Sequence, residues 1–161
     1  MQKVLGVNEA VDHARKLKEQ GKTIVLAGGC FDILHIGHIR LLNQAKQHGD
    51  VLFVLLESDK TIQKLKGKHR PIHPQHIRAE LLSSLKAVDY VIALPPLKSD
   101  NEYDELVFEI KPAIIATTKG DPAKEHKTRQ AREVGAKVIN VIDHIRDAST
   151  TRLARLLRSE L

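Results

Sequence analysis

Two patterns of apolar positions alternate along this chain. Short aliphatic and β-branched runs at Thr23 to Ala27, Val51 to Leu56, Val88 to Leu94, Ala113 to Ala116 and Lys137 to Ile142 predict strands. Between them the spacing turns helical. Ile39, Leu41, Leu42 and Ala45 follow Gly37 in a helix that stops by Gly49, and further helical patterns lie near residues 74–86, 102–110 and 123–134. A leading helix falls within residues 1–21, with Asn8 as its N-cap, Val11, Ala14 and Leu17 at helical spacing, and Gly21 as its stop. A terminal helix is expected over Ser149 to Leu161, where Leu153, Leu156 and Leu157 share a face. Five strands alternating with helices predict a three-layer α/β domain: a five-stranded parallel sheet covered by helices on both faces.

The chain has 161 residues, enough for one core and too few for two, and no repeat, low-complexity tract or linker divides it, so residues 1–161 are read as one domain. Its longest apolar runs fall far short of the roughly 18 to 20 residues that span a bilayer. The N-terminus lacks the pattern of a signal peptide, and the single cysteine, Cys30, leaves no internal disulfide to form, which together point to the cytoplasm. A net charge of +6 favours anionic partners. With three Phe, two Tyr and no Trp, the chain offers few stacking faces for a nucleic acid, so small phosphorylated ligands fit better.

The candidate chemistry lies where the first long strand turns into its helix, at Gly28-Gly29-Cys30-Phe31-Asp32-Ile33-Leu34-His35-Ile36-Gly37-His38. Glycines let the backbone approach a ligand, and a helix starting near Gly37 presents unpaired N–H groups to phosphate oxygens. His35 and His38 stand three apart, so both imidazoles can face one phosphate and donate to it as charge builds. Two of nine histidines at that spacing mean little alone; their place at the mouth of a Gly-rich turn gives them weight. Residues 67–74, after Lys60, Lys64 and Lys66, form a basic loop that is either a solvated turn or a ligand-facing one. Cys30 has no assigned base and reads as a small turn residue, and His69, His73 and His76 lack the spacing of a zinc set.

Together these residues resemble the nucleotidylyltransferase superfamily with the His-x-Gly-His signature, the cytidylyltransferase-like group that includes glycerol-3-phosphate cytidylyltransferase and the adenylyltransferase of ADP-heptose synthesis. The signature turn at Phe31 to His38, Leu41 to Lys46, Arg70-Pro71-Ile72-His73-Pro74 with Arg78, Ala87 to Val91, Gly120-Asp121 and Ser149-Thr150-Thr151 follow the family's order over residues 23–155. The Gly-Cys-Phe-Asp-Ile-Leu-His wording is nearest the heptose-type members. The family's usual Asn-Ser-Asp is Glu57-Ser58-Asp59 here, and its Lys-Gly-Gly-Asp is Thr118-Lys119-Gly120-Asp121.

The resemblance implies a Rossmann-like fold and transfer of a nucleoside monophosphate from a nucleoside triphosphate, ATP favoured, to a sugar phosphate such as heptose 1-phosphate, with release of pyrophosphate. A cytidylyltransferase acting on glycerol-3-phosphate or another alcohol phosphate is the alternative, and a non-catalytic nucleotide- or RNA-binding module a distant one. It assigns catalysis to His35, His38, Lys46 near the α-phosphate and Arg78 near the β- and γ-phosphates. Nucleotide binding falls to Gly29, Cys30, Phe31, Gly37, Gly120, Asp121, Ser149, Thr150 and Thr151. Mg²⁺ is expected with the triphosphate, and Asp32 is the nearest carboxylate for it unless it caps the turn. No membrane partner is implied, nucleic acid is disfavoured, and a homodimer is consistent with the family.

Overall fold

The structure is a computed structural model that describes residues 2–143, 151–153 and 155. Six strands, not five, form one parallel sheet in the order β1-β4-β3-β2-β5-β6. The strands are β1 (Val4–Leu5), β2 (Ile24–Gly29), β3 (Val51–Leu56), β4 (Tyr90–Ala93), β5 (Ile114–Thr118) and β6 (Lys137–Ile142). The five expected strands are present. The added β1 is two residues long, too short to show a period, and it exists by pairing with β4 at the sheet edge.

Strand alternation divides the core into two layers. Ile24, Leu26, Val51, Phe53, Ile92 and Ile115 face one side, where α1 (Val7–Glu19) and α5 (Asp100–Ile110) close over them with Ala10, Ala14, Leu106, Val107 and Ile110. The residues between them, Val25, Ala27, Leu52, Val54, Leu56 and Val91, face the other side against Leu42 and Ala45 of α2 (Ile36–Lys46) and Ala79 and Leu82 of α4 (Gln75–Ser83). α6 (Lys124–Val134) adds Ala131 to the first layer. No helix among the described residues is long and apolar enough to cross a membrane.

Two local readings change. The leading helix is capped by Gly6 rather than Asn8, and the Glu9 carboxylate accepts the Gly6 N–H at 2.9 Å. The basic stretch after β3 is half helical: α3 (Asp59–Lys66) starts at Ser58, whose hydroxyl accepts the Thr61 N–H at 3.2 Å, and only residues 67–74 remain loop. A single buried apolar residue, Ile62, anchors α3, so the helical period was too weak to read among its lysines. Of the expected terminal helix, residues 151–153 and 155 are helical and the rest lies outside the described residues.

The end of α2 packs tightly onto β2. A Cβ on Gly49 would lie 2.7 Å from Cγ2 of Val25 and 2.9 Å from the carbonyl oxygen of Thr23. Gly49→Ala is therefore expected to destabilise the fold by about 1 to 3 kcal/mol through overpacking. A urea titration checks this, and an unchanged midpoint would show that the α2–β3 turn yields freely.

Candidate active site

Counting outward from β2, the chain runs to β3 on one side and to β5 on the other, so β2 and β5 flank a topological switch point. A cavity of about 440 Å³ opens there. One wall is the signature turn and α2, with Gly29, Phe31, His35, Gly37 and His38; the other is the end of β5 and the approach to α6, with Thr117, Gly120 and Asp121.

The turn is held in an uncommon backbone state. Phe31 has φ 45°, a left-handed conformation that costs a non-glycine residue roughly 1 to 3 kcal/mol and persists only when its surroundings fix it. Here its ring is buried and packs on His38 with centroids 5.0 Å apart. Gly29 gives the ring room, since a Cβ there would lie 3.2 Å from it. Phe31 thus sets where the second imidazole stands.

His35 is the N-cap of α2, and its Nδ1 accepts the Gly37 N–H at 3.1 Å. That bond leaves Nε2 to carry the proton of the neutral ring and to donate it. The rings of His35 and His38 stack with centroids 3.7 Å apart. Burial lowers the pKa of both. For His38 the value falls to about 3, because burial is joined by repulsion from His35 and Lys66 and only a bond with the Ile33 backbone opposes it. Both rings are thereby kept neutral; His38 gives its one ring proton to the Ile33 backbone, and its Nδ1 is buried without a partner.

The opposite wall carries a compact ionic group. Oδ2 of Asp121 accepts from Lys127 Nζ at 2.6 Å and from the Thr117 hydroxyl, while Oδ1 accepts the Ala123 N–H at 2.8 Å. Burial works against ionisation, but these bonds hold the Asp121 carboxyl below the usual range.

Three expected residues stand elsewhere. Lys46 lies at the far end of α2, about 15 Å from its start at 1.5 Å per residue, where its Nζ is 2.6 Å from Asp89 Oδ2. Asp89 also accepts the Leu52 N–H at 2.7 Å, so the lysine ties α2 to the starts of β3 and β4. Arg78 is fully buried beneath the turn, and its guanidinium donates to the carbonyls of His73, Cys30 and Glu57 and to Asp59 Oδ1. Asp32 is 1% exposed and accepts from Arg70 Nε at 2.5 Å and from the N–H groups of Ile72 and His73. Burial opposes these bonds, yet they hold its carboxyl below the usual range. Both oxygens are taken inside the protein, so Asp32 pins the loop to the turn and offers no free ligand to a metal.

Cys30 is half-buried beside the cavity rather than in its lining, and burial raises its thiol pKa, in keeping with a turn residue. Ser149 and Thr150 lie outside the described residues; Thr151 is helical and exposed. Lys66, Lys127 and Thr117 line the cavity without having been singled out for it. Lys66 was legible only as one lysine of a charged run, because its helix was missed. Lys127 carried no signal beyond following Gly120-Asp121 on a helix.

The fold and this site define a nucleotide-dependent transferase: the cavity opens where α/β sheets take nucleotides, and its donors face a place for phosphate. The chain belongs to the cytidylyltransferase-like family, which it matches over residues 26–153, and is a nucleotidyltransferase. It is 43% identical over 149 residues to the Bifunctional protein HldE of a Nitratiruptor species, covering 91% of this chain and 30% of that protein. To the Bifunctional protein HldE of Desulfatibacillum aliphaticivorans it is 35% identical over 160 residues, 98% of this chain and 31% of that one. The chain therefore spans about 30% of the length of these curated relatives. Among solved structures, the lipopolysaccharide core biosynthesis protein from Thermoplasma volcanium is 34% identical with a TM-score of 0.60, covering 80% of this chain and 100% of that one. Pantoate-beta-alanine ligase from Francisella tularensis shares the fold alone, at 14% identity and a TM-score of 0.63, over 98% of this chain and 77% of that one.

Two outcomes test this geometry. Removing the buried Arg78 side chain strands Asp59 and three carbonyls, so Arg78→Ala should cost about 3 to 5 kcal/mol of stability. A denaturation midpoint that does not move would return Arg78 to the ligand. The second concerns His38. Between pH 6.5 and about 3 the unfolded chain takes a proton that the folded His38 refuses, so the stability it allows is full above pH 6.5 and falls as pH drops. His38→Gln should flatten that acid loss in a pH series of thermal midpoints. An unchanged slope would mean the ring is solvated.

Proposed function

We propose that this chain transfers AMP from ATP to a sugar 1-phosphate, heptose 1-phosphate being the favoured acceptor, and releases pyrophosphate. The observation that carries the transfer is the stacked, neutral His35–His38 pair beside the start of α2 in the cavity wall. The choice of acceptor is supported by the heptose-type wording of the turn, the likeness to the HldE proteins and the likeness to a lipopolysaccharide core biosynthesis protein.

In this reading an acceptor phosphate oxygen attacks the α-phosphorus in line, and the bond from the α-phosphorus to the bridging oxygen breaks as pyrophosphate leaves. The protein positions the two phosphates and stabilises charge. His35 Nε2 donates to the phosphoryl oxygens, His38 joins it by turning its ring proton from the Ile33 backbone to the ligand, and Lys66 adds charge from the end of α3. The Asp121–Lys127 pair on the opposite wall faces the nucleoside end, where hydroxyl and amino groups meet it. No group of three or more metal-binding side chains exists among the described residues. Mg²⁺ fits this site as a companion of the triphosphate, held mainly by phosphate oxygens and water and supplying charge neutralisation when bound.

Pyrophosphate release should be greatest for ATP with heptose 1-phosphate in a panel of ATP, CTP, GTP and UTP against heptose 1-phosphate, glycerol-3-phosphate, phosphocholine, FMN and phosphopantetheine. Preference for CTP with glycerol-3-phosphate would replace this reading with the cytidylyl one, and no turnover with any pair would sink it. His38→Ala should lower kcat by about a hundredfold or more, the scale of a lost transition-state donor.

A further inference from the structure

The sheet ends at β6, and among the described residues nothing pairs with the far side of this strand. Lys137 gives its N–H inward to the Ala113 carbonyl at 3.0 Å. In a parallel ladder alternate residues turn both main-chain groups to the same side, so Val138 and Asn140 turn theirs outward. An open edge of this kind is a template for another strand.

A second cavity, of about 470 Å³, lies between β6 and α6 and is lined by Lys124, Thr128, Ala131, Arg132, Val138 and Asn140. Its floor is apolar, because α6 meets the sheet through a small residue, the buried Ala131. Its rim is cationic. Lys124 and Arg132 are exposed, as is Lys137 at the start of β6, and none of the three has an ion-pair partner among the described residues. Other cations of α6 are used within the fold, Lys127 on Asp121 and Arg129 on Asp104.

Charge and spacing together choose the occupant. Lys124 and Arg132 line one groove from a single helix, and their separation in sequence places their Cα atoms about 12 Å apart at 1.5 Å per residue. Residues i and i+4 of a strand share a face and stand about 13 Å apart. A strand added to β6 with acidic side chains at those two positions sets a carboxylate against each cation, and its residue i+2 lies over Thr128 and Ala131, where a small side chain fits. We propose that the β6 edge and this groove dock an extended acidic segment of a partner protein, which joins the sheet as a further strand. A second copy of this chain fits poorly, because its own β6 brings the same three cations against these. A nucleic acid finds no aromatic ring in the groove and offers no main-chain partner to the strand. α6 carries Lys127 into the catalytic cavity, so the partner seats beside the active site without entering it. The inference goes beyond nucleotidyl transfer and does not rest on it.

The probe is a fluorescein-labelled peptide, Thr-Glu-Val-Ala-Val-Glu-Thr, with a counterpart carrying lysine in place of glutamate. In fluorescence anisotropy the acidic peptide should bind the full chain about tenfold or more tightly than the basic one, and its binding should weaken as salt rises. Lys124→Glu combined with Arg132→Glu turns both attractions into repulsions, so that affinity should fall about tenfold or more at an unchanged thermal midpoint. Pairing with the strand is read separately. Amide hydrogen exchange at Val138 and Asn140 should slow when the acidic peptide is added, which attraction between charges alone does not produce. Equal binding of the two peptides, full affinity in the double variant, or unchanged exchange at Val138 and Asn140 would each overturn the inference. So would tighter binding of a short oligouridylate, or a dimer in light scattering whose β6 amides are already protected.

Discussion

Arg78 holds the working end of the sheet together. Its guanidinium reaches the carbonyl of Cys30 in the signature turn, of His73 in the basic loop and of Glu57 after β3, and the carboxylate of Asp59 at the start of α3. The connection after β2 is thereby joined at one point, and the long connection from β3 to β4 at three, through one rigid, planar donor, a task lysine cannot perform with a point charge. Arg70 and Asp32 add a second tie between the loop and the turn. Because loops at strand ends have no ladder of their own, these buried pairs supply the order that the site requires.

What this order protects is the strained turn. Phe31 in its left-handed state, packed on His38, positions an imidazole whose own surroundings discourage a charge. A solvated turn would relax and let the ring protonate. Lys46 does comparable work at the far end of α2, where it binds the helix to Asp89 and to the strand starts. The two ends of α2 thus differ: the N-terminus carries the stacked histidines in the cavity wall and the C-terminus is fastened.

The sequence revealed those features that repeat or cluster locally. Apolar periodicity gave the five longer strands and most helices, and the turn from Gly28 to His38 announced itself by glycines and histidine spacing. Features that depend on distant partners stayed hidden. A basic residue on a helix reads the same whether it faces solvent, a phosphate or four buried acceptors, so Arg78 and Lys46 could be assigned to phosphates with nothing in the chain to object. Asp32 could pass for a metal ligand because Arg70 lies 38 residues away. Lys127 was invisible, and Lys66 only one lysine of a basic stretch, for the converse reason: only the fold brings α3 and α6 to the two sides of one cavity.

In the proposed reaction the cavity's electrostatics favour catalysis over mere capture. If both histidines were charged, their stacking at 3.7 Å would be repulsive and the triphosphate would bind tightly before any bond changed. Neutral imidazoles bind the ground state only by hydrogen bonds. As negative charge gathers on the phosphoryl oxygens in the transition state, those same N–H bonds strengthen, and the adjacent ring can begin to share a proton at lower cost. A pair held neutral by burial thus gains most at the moment charge appears, and the differential interaction lowers the barrier rather than deepening the bound state.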